Sequence, residues 1–274
     1  MTDQLEVPDE PAEVSRRRGI YLLPNLFTTA ALFAGFYSVV AAMDGRFIPA
    51  AAAIFVAMVF DSLDGRVARM TGTESDFGKE YDSLSDMVSF GLAPALVMYQ
   101  WAFVGQDDLN WAWSKLGWLA AFFYAVMAAM RLARFNSRYG VQDKRFFQGL
   151  PSPPAAGVVA GLVWLGADLG ADGAWAMVPA FLITVGVGAL MVSNISYYSF
   201  KDLDLGGRVP FQYLVLFPLV LIVIALSPSR MLFLLFFLGS LSGPAIWLWR
   251  WRRRRMNATS ETDDSDPDGG APSE

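Results

Sequence analysis

The sequence predicts an all-α, polytopic membrane protein, a bundle of about eight spanning helices with both termini on the cytoplasmic side. Three observations carry that prediction. Hydrophobic residues make up 54% of the 274 and charged residues only 17%, more apolar surface than one water-soluble core can hide. Apolar runs of about 20 residues, the length that crosses a hydrocarbon core, recur along the chain. Lysine and arginine alternate between crowded and nearly empty connections, the asymmetry that orients spans.

Residues 1–23 form a polar N-terminal segment. Its first 13 residues are acidic where a cleavable signal would be basic, so none is expected. The stretch 8–23, with Arg16, Arg17 and Arg18, reads as a candidate interfacial helix against anionic headgroups or as an ordinary topology signal. A transmembrane domain then covers 24–250, with runs at 24–43, 47–70, 81–103, 113–136, 151–168, 173–193, 209–227 and 231–250. Pro24 and Pro151 stand where proline favours a helix start. The fifth run opens on Pro151, Ser152, Pro153 and Pro154 and holds several glycines, which points to a short or irregular helix. Gly35, Gly186 and Gly188 suit close helix approach. The last run contains LFLLFFLGSL, apolar on every side, as fits a peripheral span or a subunit interface. Residues 251–274 begin basic, turn acidic and are rich in turn formers, which predicts a disordered tail.

Charge fixes the orientation. Only Arg46, Lys115 and Arg230 fall on one set of connections, and the remaining 18 of the 21 basic residues fall on the other. The second set, with both termini, is therefore expected on the cytoplasmic side. Trp101, Trp111, Trp113 and Trp118 flank outer ends, and Trp247, Trp249 and Trp251 an inner end, as interfacial belts do. The net charge of −5 belongs to the two acidic tails; the body between them is basic. Cysteine and histidine are both absent, which excludes disulfides, a thiolate nucleophile, an imidazole base and the usual zinc ligands. A metal here must be held by oxygen, and such ligands suit hard cations such as Mg2+ or Mn2+.

Four aspartates interrupt this apolar sequence: Asp61 and Asp64 in the second run, Asp82 and Asp86 in the third. A carboxylate at the centre of a spanning helix costs at least ~2.5 kcal/mol, so such a cluster marks function by default. Spacings of three and four put each pair on one helix face, and the short connection MTGTESDFG makes the two helices antiparallel neighbours. Four converging carboxylates are an incipient metal site. Gly65 and Ala68 leave space beside them, Gly78 continues the second face, and Arg69 stands where a phosphate oxygen would sit. Small residues, an arginine and hard-metal carboxylates together imply a pyrophosphate or phosphodiester ligand. The plain alternative, close packing with ion pairs, has only Arg66, Arg69 and Lys79 nearby, near the surface and too few for four acids.

The run Asp61-x2-Asp64-Gly65-x2-Ala68-Arg69-x8-Gly78-x3-Asp82-x3-Asp86 resembles the signature of the CDP-alcohol phosphatidyltransferases. These membrane enzymes move a phosphatidyl group from a CDP-lipid to an alcohol and release CMP. The resemblance implies that Asp61, Asp64 and Asp82 bind one divalent cation and Asp61, Asp82 and Asp86 a second. It also makes Asp86 the general base toward the acceptor hydroxyl, has Gly65, Arg69 and Ser75 hold the nucleotide and its phosphates, and implies a homodimer. An unassisted aspartate, with a pKa near ~3.9, is a feeble acceptor from an alcohol, so that role needs metals and burial.

Four further segments resemble the bacterial phosphatidylserine synthase branch of that family: PNLFTTAALFAGFYS, RLARFN, FQGLPSPPAAG and MVSNISYYSFK. The branch implies CDP-diacylglycerol and L-serine as substrates, the lipid bilayer as surroundings and no nucleic acid. Asn25 and Thr28 are candidates for cytidine or ribose, or for helix capping. Arg131 and Arg134 are candidates for the serine carboxylate or the CDP phosphates, or for positive-inside anchors, and Ser152 and Asn194 are weaker candidates. Glycerol 3-phosphate, inositol phosphate or choline stay open as acceptors. A cation-coupled transporter is the competing class, disfavoured because the charges gather at one membrane face.

Overall fold

The computed structural model describes residues 12–104, 111–137, 146–171, 174–198, 222 and 224–263. Helix α1 (Ala12–Met43) and α2 (Phe47–Thr71) form a tight hairpin. A broken rod follows: α3 (Asp76–Asp86), a π-helical segment at Met87–Leu92, and α4 (Ala93–Ala102). Then come α5 (Trp111–Ser137), α6 (Ser152–Asp168), α7 (Ala174–Val192) and α8 (Pro228–Asp263). Among the described residues, five helical stretches are long and apolar enough to cross a membrane: Pro24–Met43, Phe47–Thr71, Trp113–Ser137, Trp175–Val192 and Pro228–Trp249.

In lipid the drive to pack helices is contact and hydrogen bonding, so small residues dominate the seams. Ala34, Ala41 and Ala42 of α1 are buried with Ala50, Ala51 and Ala57 of α2, and Ser38 Oγ donates to Ala50 O at 2.7 Å between them. Helix α6 is the central post, with Ala155–Val163 buried almost throughout and α2, α4, α7 and α8 around it. At 17 residues it is short, as the proline-rich opening predicts, and it is regular. Pro151 sits at its N-cap, and the prolines that follow lie in the first turn, where a missing N–H costs nothing.

Several differences from the sequence reading have physical causes. Pro24 lies inside α1 and does not open it, so residues 12–23 continue the first candidate span as one helix. An all-α bundle is interrupted by a two-stranded antiparallel ribbon, β1 (Phe146–Gln148) with β2 (Ser196–Tyr198), paired Phe146 to Tyr198 through Gln148 to Ser196. Three-residue aromatic-rich strands are too short to announce themselves by periodicity. Helix α8 runs on to Asp263, past the expected start of disorder at 251, because Arg252–Arg255, Met256 and Ala258 are good helix formers. Gly35 does permit close approach, since a Cβ there would collide with Ser89, and a Cβ on Gly188 would stand 3.1 Å from Phe123; at Gly186 nothing among the described residues lies within 4 Å. Most of the expected span 209–227 lies outside the described residues.

Candidate active site

Gly72 ends α2 in the left-handed conformation, φ 62°, and its N–H closes onto Ala68 O and Arg69 O. Three residues later Ser75 caps α3, its side chain accepting from Gly78 N at 3.0 Å. This tight stop and restart folds α3 back on α2. It brings carboxyl oxygens of Asp61, Asp64 and Asp82 within 4.8 Å of one another, with Asp86 one turn further along α3. Asp64 is buried, and the other three are half-buried.

The constellation fits a hard divalent cation. Every donor is oxygen, and Asp82 Oδ1 is buried with no hydrogen-bond partner among the described residues. Among the described residues no salt bridge joins any of the four to an arginine or lysine, and Lys79 pairs with Asp76 at 3.5 Å. Carboxylates at such range repel unless a proton or a cation lies between them.

Beside the cluster opens a cavity of about 140 Å3. Asn25, Thr28, Gly65, Ala68, Arg69, Ser75 and Gly78 all line it, together with Asp64 and Asp82. A Cβ on Gly65 would stand 3.6 Å from Arg69 Nη1, so the missing side chain leaves room for the guanidinium over the cavity. A Cβ on Gly78 would meet Ser75 Oγ at 3.2 Å and Asn25 Oδ1 at 3.6 Å. Thr28 lines the cavity, and its hydroxyl donates to Asp64 Oδ2 at 2.8 Å, with Pro24 O 3.2 Å away, so in this structure it orients a carboxylate of the cluster.

The two arginines of α5 part company. Arg134 Nη1 donates to Val192 O at 3.2 Å, and its Nη2 donates to Gln148 Oε1 at 2.6 Å and Asn194 Oδ1 at 2.8 Å, tying α5 to both strand-bearing loops. Asn194 is thereby a partner of Arg134. Ser152 is buried at the start of α6. Arg131 Nε is buried and has no hydrogen-bond partner among the described residues.

Sequence reasoning missed the seam that aims Asp86. Ser85 Oγ donates to Thr28 O at 3.2 Å and Ser89 Oγ to Ala31 O at 3.1 Å, which lock the rod onto α1 on either side of Asp86. Immediately after Asp86 the helix widens to the π form, with Ala93 N–H reaching back to Val88 O. Pro94 has no N–H for its α-helical partner, Phe90 O, and the buried Tyr124 hydroxyl donates to that carbonyl instead, at 3.0 Å. A proline eight residues after an intramembrane aspartate was the available signal; the tyrosine on another helix was not visible locally. Thr73, Glu74 and Lys79 also line the cavity and were not singled out.

A family model described as CDP-alcohol phosphatidyltransferase matches residues 21–223. The chain belongs to the CDP-alcohol phosphatidyltransferase family. Being a member, it is a phosphatidyltransferase, and the four aspartates with their cavity stand within the matched region. Among its relatives is a Helicobacter pylori (strain ATCC 700392 / 26695) protein named CDP-diacylglycerol--serine O-phosphatidyltransferase, 36% identical over 215 residues, 76% of this chain and 81% of that one. A Mycobacterium leprae protein of the same name is 36% identical over 218 residues, 77% of this chain and 68% of that one. An archaetidylserine synthase of Methanothermobacter thermautotrophicus is 34% identical over 177 residues, 64% and 69% of the two chains.

Proposed function

We propose that this phosphatidyltransferase is a phosphatidylserine synthase, moving the phosphatidyl group of CDP-diacylglycerol to the hydroxyl of L-serine with release of CMP. The observation that carries the reading is the cluster of Asp61, Asp64 and Asp82, two of which, Asp64 and Asp82, line a cavity edged by Asn25, Gly65, Arg69, Ser75 and Gly78, with Asp86 one turn further along α3. The names of three relatives supply the acceptor.

The diphosphate of the CDP-lipid lies along Arg69 and the α3 N-terminus, where Ser75 leaves its hydroxyl proton to donate. Ala68 and Gly78 keep that wall low. The serine hydroxyl oxygen bonds to the β-phosphorus as the bond to CMP breaks; CMP leaves with the electron pair, and the hydroxyl proton passes to the Asp86 carboxylate. Two divalent cations, Mg2+ or Mn2+, held by Asp61, Asp64, Asp82 and Asp86, would offset the charge that gathers on the phosphates. Thr28 and the Ser85 and Ser89 bonds hold those carboxylates in place while the substrate's tails stay in lipid.

The surroundings follow from charge and hydropathy. The transmembrane domain 24–250 crosses the membrane eight times, with the site and both termini cytoplasmic; the resemblance to the bacterial branch of the family adds that this is a bacterial inner membrane and that the chain works as a homodimer. The test is turnover of purified protein in detergent with CDP-diacylglycerol and each acceptor in turn. Serine is expected to give the highest kcat/KM; equal or faster use of glycerol 3-phosphate, inositol phosphate or choline would overturn the assignment.

A further inference from the structure

Arg131 and Arg134 are three residues apart on one helix, yet the structure gives them opposite circumstances. Arg134 has both terminal nitrogens committed to Gln148, Asn194 and Val192. Arg131 makes no hydrogen bond or ion pair with any described residue, although its Nε is out of reach of solvent. An unpaired guanidinium nitrogen in such a place is costly unless a ligand supplies the acceptor.

Its direction is set by the contacts on either side. Tyr124, Ala128 and Arg131 share one face of α5. Tyr124 binds Phe90 O, and a Cβ on Gly91 would stand 3.3 Å from Ala128 Cβ, so this face packs on the π segment. Nearer the end of α5, Asn136 Nδ2 donates to Ser83 Oγ at 2.9 Å. The order along α5 thus runs against the order Ser83, Asp86, Phe90 along the rod, which sets Arg131 opposite Asp86. Among the described residues no salt bridge joins the two. Neither borders the cavity lined by Arg69, which lies on the other flank of the carboxylates.

We propose that Arg131 receives the carboxylate of an amino-acid acceptor while Asp86 takes its hydroxyl, and that Arg134 is a positioning residue for the ribbon that touches no substrate. This rests on the serine reading above and adds what enforces it. A guanidinium fork matches a carboxylate, so the gap between Arg131 and Asp86 selects an alcohol bearing an anionic carboxylate a few bonds from its hydroxyl. Neutral or cationic alcohols of the same size leave the fork unpaired and are rejected.

The experiment compares L-serine with L-serinamide, the same molecule without the negative charge, at saturating CDP-diacylglycerol. Wild-type protein is expected to show a KM for serinamide roughly 100-fold above that for serine, the scale of one charge-assisted contact. Arg131→Gln should raise the serine KM about as much, leave that for serinamide and that for CDP-diacylglycerol within about twofold, and so erase the discrimination. Arg131→Lys, which keeps the charge and loses the fork, should fall between. Arg134→Gln should retain the serine-to-serinamide ratio whatever happens to kcat. The proposal is overturned by a wild type that uses both acceptors equally, or by an Arg131→Gln or Arg131→Lys protein whose KM values for serine and CDP-diacylglycerol rise together. A wild type that phosphatidylates glycerol 3-phosphate and not serine would instead sink the serine reading on which it rests.

Discussion

Asp64 is the one fully buried member of the carboxylate set, and the hydroxyl that holds it comes from Thr28, 36 residues earlier on another helix. A hydrogen bond of this kind fixes which lone pair faces the cation site, and loss of such a support typically weakens metal binding about 10- to 100-fold. Thr28→Val keeps the shape and removes the donor. It should raise the Mn2+ concentration for half-maximal activity by about that factor. CDP-diacylglycerol KM should stay near its wild-type value, and a metal titration of turnover checks this. Unchanged metal dependence would return Thr28 to the nucleotide role that its place in the sequence suggests. The aspartates themselves were legible, because carboxylates spaced three and four apart in apolar sequence are too costly to keep without a partner that uses them. The Thr28 bond and the divergence of Arg131 from Arg134 were not, since each depends on partners distant in sequence.

The rod from Asp76 to Ala102 gives the site its aim. Hydropathy places a span there, but the change to π form after Asp86 arises from a proline that withholds a donor and a tyrosine on α5 that replaces it. Widened turns of this kind recur at functional sites because they shift the register of everything on one side. Tyr124→Phe leaves Phe90 O without its donor in a dry interior, at a cost of about 1–3 kcal/mol. Thermal unfolding in detergent should show a lower midpoint and turnover should fall. Pro94→Ala supplies an N–H to the same carbonyl, so the double variant should recover stability relative to Tyr124→Phe alone. Strictly additive losses would show that the two residues do not serve one carbonyl. The same dependence on remote partners explains why the ribbon escaped notice, whereas α2, α5 and α7 could be read from apolar length alone.

Across the whole molecule, carboxylates, cavity and basic residues gather at one end of the bundle, and Arg46, Lys115 and Arg230 stand at the other. Because the chain has no cysteine, single cysteines report topology without background. Thr2→Cys and Ser260→Cys should resist a membrane-impermeant thiol reagent in intact cells and react after lysis, whereas Ser114→Cys should react in both. Labelling of Ser260→Cys in intact cells would refute eight spans with cytoplasmic ends. The family, the helical bundle and the carboxylate cluster were all within reach of the sequence, since lipid imposes simple rules on length and charge. What holds the parts in register was not.

The most direct measurement is release of CMP from CDP-diacylglycerol by the purified protein, with and without acceptor and before and after chelation of divalent cations. The expected result is one CMP for each serine carried into lipid, none once the cations are removed, and recovery on adding Mn2+ or Mg2+. CMP release that continues undiminished in chelator would contradict a carboxylate-held metal centre as the seat of the reaction.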